Sequence, residues 1–137
     1  MSDEMTGGCL CGAVRYRITA RPKLQLACHC KNCQRVSGSA FSLSCLVPHE
    51  AFTLEGELKL YVGEADSGNK TRRWFCPTCG TGIYVEVAAR PDAVALRAGT
   101  LDDASWFKPR VNLWTDSKQD WVPIDPKCKN FPRNVGD

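Results

Sequence analysis

Short runs along this chain alternate apolar with polar residues, and most keep a period of two. Val14, Tyr16 and Ile18 interleave with Arg15, Arg17 and Thr19, and Leu24, Leu26 and Cys28 repeat the pattern. Side chains two apart on an extended chain share a face, so both runs predict half-buried strands. Phe41, Leu43, Cys45 and Val47 alternate with small or polar partners, Leu58 to Val62 is a compact and largely apolar segment, and Ile83 to Val87 and Ala93 to Ala98 predict two further strands. Gly, Pro and Asp clusters at Glu64 to Asn69 and Arg90 to Asp92 separate them. Helical periodicity is scarce, with room for a few helical residues only at Lys31 to Val36 and in the turn from Asp102 to Phe107. The pattern therefore predicts a mostly β fold. Lys127 to Asp137, polar and interrupted by proline, reads as a loosely held tail.

With 137 residues the chain has room for one hydrophobic core, and no repeat or linker divides it. A single domain over residues 1–137 is expected, its core spanning about residues 5–125. Apolar residues at 43% and charged residues at 24% fit a globular protein and disfavour a disordered or membrane class. A net charge of +3 is too mild to argue for a nucleic-acid partner. Met-Ser-Asp-Glu-Met-Thr at the start carries acids where a signal peptide needs basic residues, and no apolar run is long enough to span a bilayer. The expectation is a cytoplasmic protein with no membrane partner.

Nine cysteines change this picture. Structural disulfides are rare in a reducing compartment, so cysteines at this density point to metal. They fall into three clusters, Cys9-Leu10-Cys11, Cys28-His29-Cys30-Lys31-Asn32-Cys33 and Cys76-Pro77-Thr78-Cys79, with Cys45 and Cys128 left over. Thiols two apart on an extended segment face one ion, and a Cys-x-x-Cys turn achieves the same by bending, which Pro77 and Gly80 suit. Zinc is the favoured ion for all-thiolate ligands, with an iron-sulfur cluster as the other option. Seven cysteines divide into a closed structural site, Cys9, Cys11, Cys76 and Cys79, and a triplet, Cys28, Cys30 and Cys33. Three ligands leave a tetrahedral position for a substrate, the pattern of a catalytic zinc, and zinc holds a thiol as the nucleophilic thiolate. A fourth ligand from Cys45, Cys128 or His29 would instead make the triplet structural.

His29 faces away from its cysteine neighbours on a strand, which favours packing or hydrogen bonding over catalysis. Cys45 keeps register with Phe41 and Leu43 as a small core residue, Cys128 reads as an ordinary thiol, and His49 as a surface loop residue. Trp74, Trp106, Trp114 and Trp121 are expected mostly to fill core. Lys31 and Arg35 flank the triplet, as solvated cations, to offset its negative charge or to hold an acidic substrate.

Gly8-Cys9-Leu10-Cys11-Gly12-Ala13-Val14-Arg15-Tyr16, Cys28-His29-Cys30-Lys31-Asn32-Cys33-Gln34 with Ser37-Gly38-Ser39-Ala40-Phe41, and Phe75-Cys76-Pro77-Thr78-Cys79-Gly80 together carry a resemblance. It continues through Gly99 to Asp103 and from Leu113-Trp114 to Trp121-Val122. The chain resembles the glutathione-dependent formaldehyde-activating enzyme family, which also includes centromere protein V. The resemblance implies an Mss4-like fold, several coiled antiparallel sheets around zinc sites, and the same division of ligands into four and three. It implies joining of formaldehyde to glutathione as S-(hydroxymethyl)glutathione, classed as a carbon-sulfur lyase reaction in reverse. Glutathione and a small aldehyde are then the partners, with no nucleic acid expected and a homo-oligomer left open. Asn112 stands where a histidine is expected in many relatives, and Cys45 where no cysteine is expected. The centromere relative supplies the alternative, a non-catalytic zinc-stabilised binding or scaffold module.

Overall fold

A computed structural model describes residues 4–65 and 68–134. In chain order the described residues form β1 (Met5–Gly8), β2 (Arg15–Ile18), β3 (Lys23–Cys28), α1 (Lys31–Ser37), β4 (Ser42–Pro48), β5 (Phe52–Glu55), β6 (Lys59–Glu64), β7 (Lys70–Phe75), β8 (Gly82–Val87), β9 (Ala93–Arg97), β10 (Val111–Leu113) and β11 (Lys129–Asn130). The fold is mostly β, in several sheets, as the alternation predicts. Two compact units emerge: one takes the residues up to Lys23 and Cys45–Trp106, the other Leu24–Ser44 and the residues from Phe107 onward.

In the first unit, β1, β2 and β5 form an antiparallel sheet in that order, with Tyr16 opposite Leu54 and Ile18 opposite Phe52. Its period of two places Val14, Tyr16 and Ile18 inside while Arg15 and Arg17 face solvent. β6, β7, β8 and β9 make an antiparallel meander. Ile83, Val85, Val94 and Leu96 bury its inner face, joined by Cys45 and Val47 from the end of β4. Stacked and tilted rings link the two sheets: Tyr16 to Phe52 at 5.5 Å, Phe52 to Tyr84 at 5.1 Å and Tyr84 to Trp74 at 6.1 Å. The β7–β8 register slips between Trp74 and Phe75, directly before Cys76. The residue left over is Ile83 on β8, so the irregularity lies on the strand that leaves the cysteine turn.

In the second unit β10 runs parallel to both β3 and β11, so parallel pairs stand beside the antiparallel ones. Asn112 lies opposite Ala27 on one side and Asn130 on the other, and Leu113 lies opposite Cys28. Helix α1 begins just after β3 and ends at Gly38, whose left-handed φ of 61° closes it.

Several expectations need correction. Lys127 to Asn134 is not a loose tail: Lys129 and Phe131 donate backbone bonds to Arg110 and Asn112 at 2.9 Å each, and Trp114 donates to Arg133 at 3.1 Å. The tail's residues 135–137 lie outside the described residues. Asp102 to Phe107 holds no helix; Asp103 Oδ1 accepts from Ser105 N at 3.0 Å and its carbonyl from Trp106 Nε1 at 2.9 Å, making a side-chain-closed turn. None of the four indoles joins the fully buried core, since Trp74, Trp106 and Trp114 are half-buried and Trp121 is 74% exposed. Each indole N–H needs a partner, and the core offers few. Ser42 and Ser44, polar partners in the alternation of β4, are buried, as are Cys45 and Val47 on its other face. The turn over Glu64 to Asn69 is closed by Ala65 N donating to Asn69 O at 2.8 Å, while its residues 66 and 67 lie outside the described residues. Among the described residues no helix is long and apolar enough to cross a membrane.

Candidate metal centres

The first centre grows from two tight turns of the first unit. Cys9 and Cys11 follow β1 in a loop closed by Gly12 N donating to Cys9 O at 3.3 Å, with Gly12 at φ 84°. Cys76 follows β7, and Gly80, at φ 80°, donates back to Cys76 O at 2.8 Å. Positive φ costs glycine nothing and a side-chain-bearing residue more, so both turns close where thiols must converge. The four sulfurs lie within 4.8 Å of one another, Cys9 to Cys11 at 3.6 Å and Cys11 to Cys76 at 3.8 Å. A tetrahedron with metal–sulfur bonds of ~2.3 Å has edges of about 3.8 Å, so the set fits a metal ion.

Donors surround these sulfurs. Val14 N donates to Cys9 Sγ at 3.3 Å, and the Thr81 hydroxyl lies 3.1 Å from Cys79 Sγ while accepting from Leu10 N at 3.2 Å. The Thr81 hydroxyl and backbone pull the Cys79 thiol down to about 5. Cys9 is also lowered: burial opposes the shift, and bonds from Val14 and the neighbouring thiols outweigh it. Cys11 stands up at about 11; its bond from Ala13 lowers it, but the Cys9 sulfur and burial win.

The second centre is a single turn in the second unit. Cys28 ends β3, Cys30 caps α1, and Cys33 lies in the first turn of that helix. Cys30 Sγ accepts from Cys33 N at 3.4 Å, folding the third thiol onto the other two. All three sulfurs lie within 4.8 Å, and no other His, Cys, Asp or Glu donor among the described residues joins that group. Hydrogen bonds shared with Cys30 and Cys33, and then burial, push the Cys28 thiol up. Cys30 is raised as well: its bond with Cys28 lowers it, but Cys33 and burial prevail. Three crowded thiols resist losing their protons together, and a divalent cation removes that resistance. The donor set therefore suits a soft metal ion.

The remaining sulfur and imidazole candidates are placed elsewhere. Cys45 is fully buried in the first unit, and burial pushes its thiol up to about 12. Cys128 Sγ donates to Pro109 O at 3.6 Å. His49 sits at the surface 3.2 Å from a Glu86 oxygen. Lys31 and Arg35 are exposed on α1.

His29, 1% exposed, packs its ring on Phe41 at 5.2 Å and meets Asn112 Oδ1 through Nε2 at 2.9 Å. Asn112 Nδ2 donates to Asn130 Oδ1 at 2.9 Å, and Asn130 Nδ2 to Asp125 O at 3.2 Å. That chain of amides assigns oxygen to the atom facing His29, so Nε2 carries the proton and the buried Nδ1 presents a lone pair. Asn112 thus serves as the imidazole's anchor. Sequence reasoning missed Thr81, Gln34 and Asn130; a polar side chain flanking a cysteine motif is the one signal that marks the first two.

The fold and the two clusters define a small β protein with two cysteine sites able to hold metal ions. Residues 4–117 match the family of the glutathione-dependent formaldehyde-activating enzyme, and the chain belongs to that family. Two relatives share the name "Putative glutathione-dependent formaldehyde-activating enzyme". One, from Halomonas elongata, is 27% identical over 90% of this chain and 82% of its own length. The other, from Podospora anserina, is 27% identical over 85% of this chain, which spans 58% of the relative's length. A crystal structure of a Rhodobacter sphaeroides protein shares the fold with a TM-score of 0.58 at 18% identity, covering 93% of this chain and 99% of that one.

Proposed function

We propose that this protein is a zinc-dependent carbon-sulfur lyase of the S-(hydroxymethyl)glutathione synthase type, acting in the cytoplasm on a thiol and a small aldehyde. Cys9, Cys11, Cys76 and Cys79 hold a structural zinc, and Cys28, Cys30 and Cys33 a catalytic one. Each compact unit then contributes one centre to one activity. The observation that carries the reading is the unequal sulfur count, four thiols converging in one unit and three in the other.

A zinc ion bound by the triplet supplies a Lewis-acid position at which a substrate thiol is held as thiolate at neutral pH. The chain's own residues fix where that position faces. Cys30 and Cys33 are locked together by the helix cap, and Cys28 is held in register by β10. His29 backs the turn through Asn112 without competing as a ligand. The substrate sulfur forms a bond to the aldehyde carbon, the carbonyl π electrons move to oxygen, and that oxygen takes a proton to give the hydroxymethyl thioether. Lyase action is the same path reversed.

The test is hemithioacetal exchange between glutathione and ¹³C-formaldehyde, followed by NMR with no protein, with wild type and with Cys30→Ser. Acceleration by wild type alone supports the reading. Equal exchange in all three samples would end it.

A further inference from the structure

Gln34 follows Cys33 in α1 and uses both faces of its amide. Its Nε2 donates to His29 O at 2.8 Å and to Ser117 O at 3.0 Å, and its Oε1 accepts from Gln119 Nε2 at 2.7 Å. His29 lies between two of the three thiols, so its two flanking peptide planes set how the Cys28 and Cys30 backbones are placed relative to each other. The Cys28–His29 plane is pinned by His29 N donating to Leu113 O at 3.0 Å. The His29–Cys30 plane is pinned by Gln34. With both planes held, the His29 dihedrals are held, and with them the relative placement of the Cys28 and Cys30 Cα atoms. A glutamine suits this place because its planar NH₂ presents two donors at once to two carbonyls.

We infer that Gln34 is a positioning residue of the three-cysteine centre, holding Cys28 and Cys30 at the angle from which they converge with Cys33 on one metal ion. It touches neither substrate nor metal and acts through the His29 carbonyl. The inference rests on the proposed metal reading of the triplet.

The experiment loads wild type, Gln34→Met, Gln34→Glu and Cys30→Ser with Co(II), following thiolate charge-transfer and d–d absorption and competing the metal with a chelator. Cys30→Ser identifies the bands of the triplet by difference. Gln34→Met keeps side-chain length and removes the donors; it should weaken Co(II) binding at the triplet about 10- to 100-fold, as loss of outer hydrogen bonds does elsewhere. At saturating Co(II) it should also lower the tetrahedral d–d intensity of those bands, while the four-cysteine bands stay unchanged. Gln34→Glu, nearly isosteric, should do the same. A purely structural role would lower the unfolding temperature yet leave the saturated spectrum as in wild type, and that result overturns the inference, as would failure of both variants to fold. If wild type itself shows no triplet bands, the metal reading falls and takes this inference with it; normal wild-type bands with an unaltered Gln34→Met spectrum remove this inference alone.

Discussion

The two cysteine centres are built in opposite ways. In the first unit the ligands come from distant turns, with Cys11 and Cys76 separated by 65 positions, and the supporting bonds are local, from Val14 and Thr81. In the second unit all three thiols sit within one turn, and the local bonds from Cys33 and Gln34 are backed by long-range ones, with Gln34 reaching Gln119 across 85 positions and His29 reaching Asn112 across 83. A metal in the first centre closes a long loop and so acts on folding. A metal in the second closes almost none, and its geometry has to be imposed by the rest of the unit. The two clusters therefore differ first in where their constraints come from.

The sharpest way to break this contrast is Cys76→Ser. Structural zinc supplies ~10 kcal/mol or more, comparable with a whole domain's ~5–15 kcal/mol of stability. The variant is expected to lose cooperative unfolding and near-UV circular dichroism. A native-like spectrum with a normal melting curve would refute the folding role of the first centre.

Cys30→Ser should show the converse. Hemithioacetal exchange is expected to fall at least ~100-fold, on the scale of the several kcal/mol a Lewis acid contributes, while one metal per chain persists in native mass spectrometry and the melting temperature stays near wild type. A collapse of stability equal to that of Cys76→Ser would erase the distinction.

Asn112→Leu tests the long-range support. It leaves the His29 Nε2 proton buried without an acceptor, an expected loss of about 1–3 kcal/mol in urea unfolding. Unfolding identical to wild type would mean that the amide chain carries no constraint.

The smallest effect concerns the first unit's surface. Asp102 is held below the usual carboxylate range by Arg15 and then by the Thr6 hydroxyl, whose Oγ1 donates at 2.7 Å. A depressed carboxylate contributes stability above its unfolded pKa of ~3.9 and loses it as pH falls through the lower folded value. Both partners are nearly half exposed, so solvent weakens the pair. Asp102→Asn should lower the melting temperature slightly at pH 7 and not at pH 2; an equal drop at both pH values would refute a role that depends on the carboxylate's charge.

What the sequence revealed followed the range of the interactions. The strands β2, β3, β4, β8 and β9 carry a period of two because one or both faces are buried, and that pattern needs no knowledge of partners. The cysteine groups were legible for the same reason, as thiols two or three positions apart already lie close enough to share an ion. β1 reads Met-Thr-Gly-Gly, β10 has three residues, and β7 is Lys-Thr-Arg-Arg-Trp-Phe; these are strands because of what they pair with, and nothing local announces it. Phe52 to Glu55 likewise becomes β5 by pairing with β2. The bonds that Gln34, Asn112 and Asn130 make were hidden by distance, since an amide bonded to another amide far along the chain leaves no periodic trace. Lys127 to Asn134 was misread for the same reason: its polarity suggested freedom, but β11 donates to the backbone beside β10.

The discontinuous second unit also sets an order of birth. On the ribosome Cys79 completes the first four thiols before Phe107, where the second unit resumes, has been made. Cys28, Cys30 and Cys33 emerge earlier, yet Gln34 waits 85 residues for Gln119, roughly 4–17 s at ~5–20 residues per second. For that interval the three thiols exist without their long-range frame, so the nascent chain carries this cluster with its sulfurs made first and its supporting amides made last.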